Sequence, residues 1–133
     1  MLIFYVDDDS DDRELFRYAV KSVDPRTVLV AFESGEDLLT FLRSGTPLPD
    51  FIFIDINMPK MNGYECVQEI RSKEIFNTVK IIMYSTSFNP EDQLRFNQPG
   101  VDFLVKPSEI DSLVLYIKKL AEKSSFTTLE EIL

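Results

Sequence analysis

The chain has 133 residues, of which 44% are hydrophobic and 28% are charged, and its formal net charge is −9. This composition is typical of a single globular domain, and the negative charge argues against nucleic acid as a direct partner, because phosphate backbones are bound by Lys and Arg. The single cysteine excludes an intramolecular disulfide, and the lack of histidine excludes catalytic histidine and His-ligated zinc.

The first half of the chain alternates strand-like and helix-like segments. The apolar run Leu2–Val6 predicts a first strand, and Ser10 is the predicted N-cap of a helix with apolar residues at helical spacing. The β-branched run 27–32 predicts a second strand, and residues 34–42 predict a second helix. Residues 51–54 are apolar without alternation, which is typical of a parallel strand covered on both faces.

The second half continues the alternation. Asn62 is a predicted cap of a helix that ends near residue 72, and residues 80–84 predict a fourth strand. Pro90 suits the first position of a short helix, Val101–Val105 predicts a fifth strand, and Ser108 is the predicted cap of the last helix. Five strands alternating with five helices predict an α/β doubly wound sheet with helices on both faces.

Four of these strands run into polar residues: Asp7 and Asp8, Asp55, Ser85, and Lys106. Because open α/β sheets bind ligands beyond the carboxyl ends of their strands, we expect these side chains to share one edge. Carboxylates suit Mg²⁺, whereas a hydroxyl and an ammonium suit a phosphoryl group. The sequence therefore predicts a metal and phosphoryl site at this edge.

The acids after the first strand also have a simpler interpretation, because acids cap helices and favour their first turn. That alternative stays open for Asp7 and Asp8, and it is the main interpretation of Asp9, Asp11 and Asp12. Asp55 differs from them because a buried strand that ends in a carboxylate needs a partner for its charge. A cation or a lysine can be that partner, and a carboxylate can also be a nucleophile.

With these polar residues at its predicted strand ends, the chain resembles the receiver domain of the two-component response regulators over residues 1–121. The matching motifs are Val6-Asp7-Asp8, Asp55 through Pro59 with Gly63, Ser85 after its strand, and Lys106-Pro107. The sequence of these motifs is most similar to that of single-domain receivers that partner phytochrome-like and other hybrid histidine kinases. The resemblance implies a flavodoxin-like fold with a five-stranded parallel sheet in the order 2-1-3-4-5.

The resemblance also implies a role for each site residue. Asp55 is the implied phosphoacceptor, and Ser85 and Lys106 are the implied contacts of the phosphoryl group. Phe103 occupies the position of the switch aromatic, although a strand residue packed under a helix is the open alternative. Lys106-Pro107 is also a candidate cis peptide. The implied Mg²⁺ ligands are Asp7, Asp8, Asp55 and the backbone carbonyl of Asn57.

The implied function is signalling, with a phosphoryl group accepted from a phosphohistidine and a change in protein–protein interactions as the output. The implied partner is a sensor or hybrid histidine kinase, or a histidine phosphotransfer protein. Such a module slowly hydrolyses its own phosphoryl group but does not turn over external substrates. The alternative is a Mg²⁺-dependent phosphohydrolase with Asp55 as nucleophile, but Asn57 stands where such enzymes carry their general acid.

Residues 122–133 extend beyond the resemblance as a C-terminal tail. Its apolar residues predict docking on the domain's own surface or on a second copy, which would give a homodimer; a frayed terminus is the alternative. No apolar run approaches the roughly 18 residues of a membrane span, and no signal peptide is evident. We therefore expect no membrane partner and a cytoplasmic location. The apolar residues of the tail are Phe126, Leu129, Ile132 and Leu133.

Overall fold

A computed structural model describes the backbone of residues 1–132 and the side chains of residues 1–123. Strands and helices alternate along the chain, as the sequence predicts. The elements are β1 (Leu2–Val6), α1 (Ser10–Val23), β2 (Val28–Phe32), α2 (Gly35–Arg43), β3 (Phe51–Asp55), α3 (Gly63–Arg71), a 3-10 turn (Glu74–Phe76), β4 (Lys80–Ser85), α4 (Pro90–Arg95), β5 (Val101–Val105) and α5 (Ile110–Ile132).

The five strands form one parallel sheet in the order β2-β1-β3-β4-β5, which confirms the predicted fold class. Residues of α1 and α5 pack on one face of the sheet, and residues of α2 and α3 pack on the other. The burial of both faces explains why β3 and β4 are almost wholly apolar. No helix in the described part of the chain combines the length and apolar character needed to cross a bilayer.

The strand register determines where the polar residues lie. Val6 is paired with Ile54, so the residues that follow each of them lie at the same edge of the sheet. On the other side of β3, Asp55 is opposite Tyr84, and Ser85 is opposite Val105 of the edge strand. The carboxyl ends of four strands therefore bring the predicted site residues to one edge.

Two predicted helix caps are wrong by one residue each. Asp9, rather than Ser10, caps α1, because its side chain accepts from the backbone N–H groups of Asp11 and Asp12. Because α5 begins at Ile110, Glu109 occupies its cap position, and Ser108 lies one residue before it. The predicted cap at Asn62 is confirmed, and it forms a reciprocal capping box.

The backbone of α5 continues to Ile132, through most of the segment that the sequence sets apart as a tail. The prediction that Phe126, Leu129, Ile132 and Leu133 dock on a surface concerns side chains outside the described residues.

Candidate functional site

Three carboxylates converge where β1 and β3 end. The side chain of Asp7 is fully buried, Asp55 is 5% exposed, and Asp8 faces solvent. One carboxylate oxygen from each lies within 4.8 Å of the others. Oxygen ligands at this spacing, open to water on the side of Asp8, fit a hard divalent cation that keeps some of its water ligands. The structure thus brings together the three acids that the sequence predicts as metal ligands.

Burial and repulsion make this cluster electrostatically unfavourable without a cation. Burial is the largest cause, and together with the charges of Asp7 and Asp8 it raises the pKa of Asp55 to about 6, although the ammonium of Lys106 acts in the opposite direction. Among the side chains that the structure describes, one ammonium, that of Lys106, lies against this group of acids. A bound divalent cation would add the positive charge that the buried carboxylates lack.

Lys106 lies directly after β5 and its side chain is 13% exposed. Its Nζ atom is 2.8 Å from Oδ2 of Asp7, 2.8 Å from Oδ2 of Asp12, and 3.5 Å from Oδ1 of Asp55. Burial alone would lower the pKa of the ammonium, but its hydrogen bonds to Asp12 and Asp7 raise it above its usual value. Lys106 is therefore a permanent cation at the site.

The peptide bond between Lys106 and Pro107 is trans, so the expectation of a cis bond is wrong. The trans form is the lower-energy isomer of an X–Pro bond, and it is adopted unless packing selects the cis form. The backbone N–H of Lys106 donates to the carbonyl of Ser85 at 2.7 Å, which continues the pairing of β4 with β5 beyond the last strand residue.

Ser85 ends β4 and is fully buried. Its hydroxyl oxygen accepts a hydrogen bond from the side-chain amide of Asn57 at 3.4 Å. The structure thus links Asn57 to Ser85 across the neighbouring strand ends. The role of the Asn57 carbonyl as a metal ligand stays a prediction.

The loop after Asp55 is held against the end of β3. The N–H of Gly63 donates to the carbonyl of Ile56 at 2.9 Å. A Cβ atom on Gly63 would lie 2.5 Å from the carbonyl oxygen of Asp55 and 2.7 Å from Cα of Ile56. Only glycine allows this close approach of two backbone segments. Gly63 therefore fixes the turn that leaves the Asp55 carboxylate at the site.

Phe103 lies on β5, half-buried, and its ring meets that of Phe88 edge to face at a centroid distance of 5.2 Å. It also lines a surface cavity of about 440 Å³ beside α4, with Pro90 and Leu94. This position fits both a packed strand residue and an aromatic ring with room to move. Its switch role stays a prediction.

Two contacts at the site were not anticipated from the sequence. The hydroxyl of Tyr5 donates to Asp7, and Asp12 forms an ion pair with Lys106 in addition to its place in the first turn of α1. Tyr5 precedes Asp7 by two residues on a strand, so the period of two could have indicated a shared face. Asp12 gave no comparable signal, because its partner is 94 positions away in the sequence.

Comparisons with known proteins agree with this geometry. A family model described as the response regulator receiver domain matches residues 3–118. The sensor histidine kinase CheAY of Helicobacter pylori is 29% identical over 119 residues, which cover 89% of this chain and 15% of the kinase. The chain therefore spans a small part of the length of this relative.

Solved structures give the same result for the fold. The phosphorylated cyanobacterial phytochrome response regulator RcpA matches with a TM-score of 0.77 and 25% identity, covering 91% of each chain. The bacteriophytochrome response regulator RtBRR matches with a TM-score of 0.73 and 27% identity. The match covers 87% of this chain and 75% of the RtBRR chain.

Proposed function

The chain belongs to the response regulator receiver family, and on this premise we propose that Asp55 accepts a phosphoryl group from a phosphohistidine of a partner protein. The main support is one observation. Asp55 lies at the carboxyl edge of the sheet within 4.8 Å of two further carboxylates and 3.5 Å from the ammonium of Lys106. This arrangement combines a nucleophile, a metal-binding set and a cation for the incoming charge.

The proposed step is a transfer between two nucleophiles. A carboxylate oxygen of Asp55 attacks phosphorus, the bond from phosphorus to the imidazole nitrogen breaks, and its electron pair remains on that nitrogen, which takes up a proton. The attacking group must be ionised. A pKa of about 6 leaves Asp55 mostly ionised at neutral pH.

Asp7, Asp8 and Asp55 would hold Mg²⁺, with the carbonyl of Asn57 as a further proposed ligand. Their oxygen donors and their partial access to water favour Mg²⁺ over softer metals. When bound, the ion would neutralise charge on the phosphoryl oxygens and on the acids. Lys106 would pair with one phosphoryl oxygen, and the Ser85 hydroxyl would donate to another.

A phosphohydrolase acting on external substrates is less well supported. The residue two positions after Asp55 is Asn57, whose amide is too weakly acidic to transfer a proton as a general acid and instead donates a hydrogen bond to Ser85. We therefore propose a signalling module whose aspartyl phosphate is slowly hydrolysed. Its partner would be a sensor or hybrid histidine kinase, or a histidine phosphotransfer protein.

The output would be a conformational change that begins at Ser85 and Lys106. Both residues would close on the phosphoryl group, and Phe103 would turn inward from its half-buried position beside Phe88. Amide spectra of the free and the beryllofluoride-bound protein test this switch. We expect shifts at Phe88, Phe103 and the start of α4, and shifts confined to the neighbourhood of Asp55 would contradict it.

Phosphoramidate tests the proposed transfer without a kinase, because it carries the same phosphorus–nitrogen bond as phosphohistidine. With Mg²⁺, intact-mass analysis should detect one phosphoryl group on the wild type and none on Asp55→Asn. The circular dichroism of the variant should show that the fold is retained. Equal phosphorylation of a folded Asp55→Asn variant would contradict the proposal.

A further inference from the structure

The ammonium of Lys106 is bound on its α1 side by an acid outside the metal-binding group. Its Nζ atom is 2.8 Å from Oδ2 of Asp12 but 3.5 Å from Oδ1 of Asp55. We propose that Asp12 is a positioning residue that competes with a phosphoryl group on Asp55 for the ammonium of Lys106 and so disfavours the phosphorylated state. This inference rests on the proposed function, because it concerns the cation that would meet the phosphoryl group.

The helix start fixes Asp12 in this position. Asp9 caps α1 and accepts from the backbone N–H groups of Asp11 at 2.8 Å and of Asp12 at 3.3 Å. These bonds orient the first turn so that the side chain of Asp12 points to the site, whereas Asp11 faces solvent. The contact between Asp12 and Lys106 therefore follows from the capped geometry of the helix.

Lys106 has three donors, and two of them are taken by Asp7 and Asp12. A phosphoryl group on Asp55 would present strong acceptor oxygens and would compete for this ammonium. The side chain of Asp7 is fully buried, whereas that of Asp12 is 34% exposed. Water can solvate Asp12 after the contact breaks, so this is the bond that Lys106 gives up.

Beryllofluoride with saturating Mg²⁺ is the suitable probe, because it mimics a phosphoryl group on a carboxylate and involves no partner protein. Asp12→Asn keeps the size of the side chain and removes its charge. We expect beryllofluoride to bind this variant about fivefold more tightly than the wild type, the effect of losing one partly exposed ion pair. Calorimetric titration would measure the affinity.

Asp11→Asn is the matched control. It makes the same change of charge on the neighbouring residue of α1, and within the described residues Asp11 has no contact with Lys106. We expect its affinity to stay within about twofold of the wild type, since an exposed charge beyond contact distance is screened by water and salt. Equal gains in the two variants would overturn the inference.

A second arm tests whether Asp12 acts through Lys106. In a Lys106→Met background, Asp12→Asn should give no gain in affinity, because the ammonium that it restrains is absent. A gain of the same size in that background would overturn the inference, since the effect would then be a general charge effect. A wild type that binds no beryllofluoride would contradict the proposed function itself, whereas a binding wild type with an unchanged Asp12→Asn variant contradicts this inference alone.

Discussion

The hydroxyl of Tyr5 donates a hydrogen bond of 2.5 Å to Oδ2 of Asp7, the same oxygen that accepts from Lys106 at 2.8 Å. Both Tyr5 and Asp7 are fully buried. Burial and then the charge of Asp7 raise the pKa of Tyr5 above its usual value, so the phenol keeps its proton and stays a donor. Tyr5 thus supports Asp7, one of the three carboxylates that we propose as metal ligands.

Removing this donor should destabilise the protein. For Tyr5→Phe we expect the free energy of unfolding to fall by about 2 kcal/mol, because hydrogen bonds to charged groups are stronger than neutral ones. Urea denaturation would measure it. Tyr84→Phe is the control, since Tyr84 is also buried but its hydroxyl makes no hydrogen bond with a described residue. Equal losses in both variants would contradict a specific role for Tyr5.

The raised pKa of Asp55 predicts a particular dependence of stability on pH. Because its folded pKa is about 6 and its usual value is 3.8, the folded state retains the proton that the unfolded state loses between these values. In metal-free buffer, the contribution of Asp55 to the free energy of unfolding should therefore fall as pH rises from about 4 to about 6, by at most about 3 kcal/mol.

The variant Asp55→Asn lacks this titration. Its stability relative to the wild type should increase over the same pH interval and then remain constant above it. Urea denaturation of both proteins in EDTA at several pH values measures this difference. A difference that stays the same at every pH would contradict the assignment of the raised pKa to Asp55.

Asp8 is the exposed member of the three acids. Asp8→Ala should raise the melting temperature without metal, because it relieves repulsion, and should remove the stabilisation by Mg²⁺. In the wild type that stabilisation is about 2.7 kcal/mol at a hundredfold excess over Kd. Asp11→Ala is the control and should keep the full response. An unchanged response to Mg²⁺ in Asp8→Ala would count against the metal site.

A substitution at Gly63 tests whether the loop after Asp55 depends on the close approach of two backbone segments. Gly63→Ala should lower the free energy of unfolding by about 2 kcal/mol or more and slow phosphorylation, because its Cβ overlaps the backbone of Asp55 and Ile56. Gly35→Ala is the control, since its nearest contact is the flexible Sδ atom of Met61 at 3.0 Å. If both variants are as stable and as reactive as the wild type, the loop does not depend on this close approach.

The sequence predicted the sheet and most of the site because each signal was local. Apolar runs that end in Asp7, Asp55, Ser85 and Lys106 define strand ends, and parallel strands bring those ends to one edge. The caps of α1 and α5 were misplaced by one residue, because neighbouring polar side chains offer similar caps and the backbone geometry selects among them.

The remaining features depend on contacts between distant parts of the chain. The ion pair of Asp12 with Lys106 joins the first turn of α1 to the end of β5, and no local pattern distinguishes Asp12 from Asp11. The isomer of the bond before Pro107 depends on packing around the strand end, so the dipeptide alone did not determine it.

We propose that Asp55, rather than a neighbouring acid, accepts the phosphoryl group. The most direct measurement is to phosphorylate the wild type with acetyl phosphate and Mg²⁺, reduce the acyl phosphate with borohydride, and locate the resulting homoserine by peptide mass spectrometry. We expect homoserine at position 55 only, and none when Mg²⁺ is replaced by EDTA. Homoserine at position 7, 8 or 12, or a complete lack of modification with Mg²⁺ present, would contradict the assignment of Asp55 as phosphoacceptor.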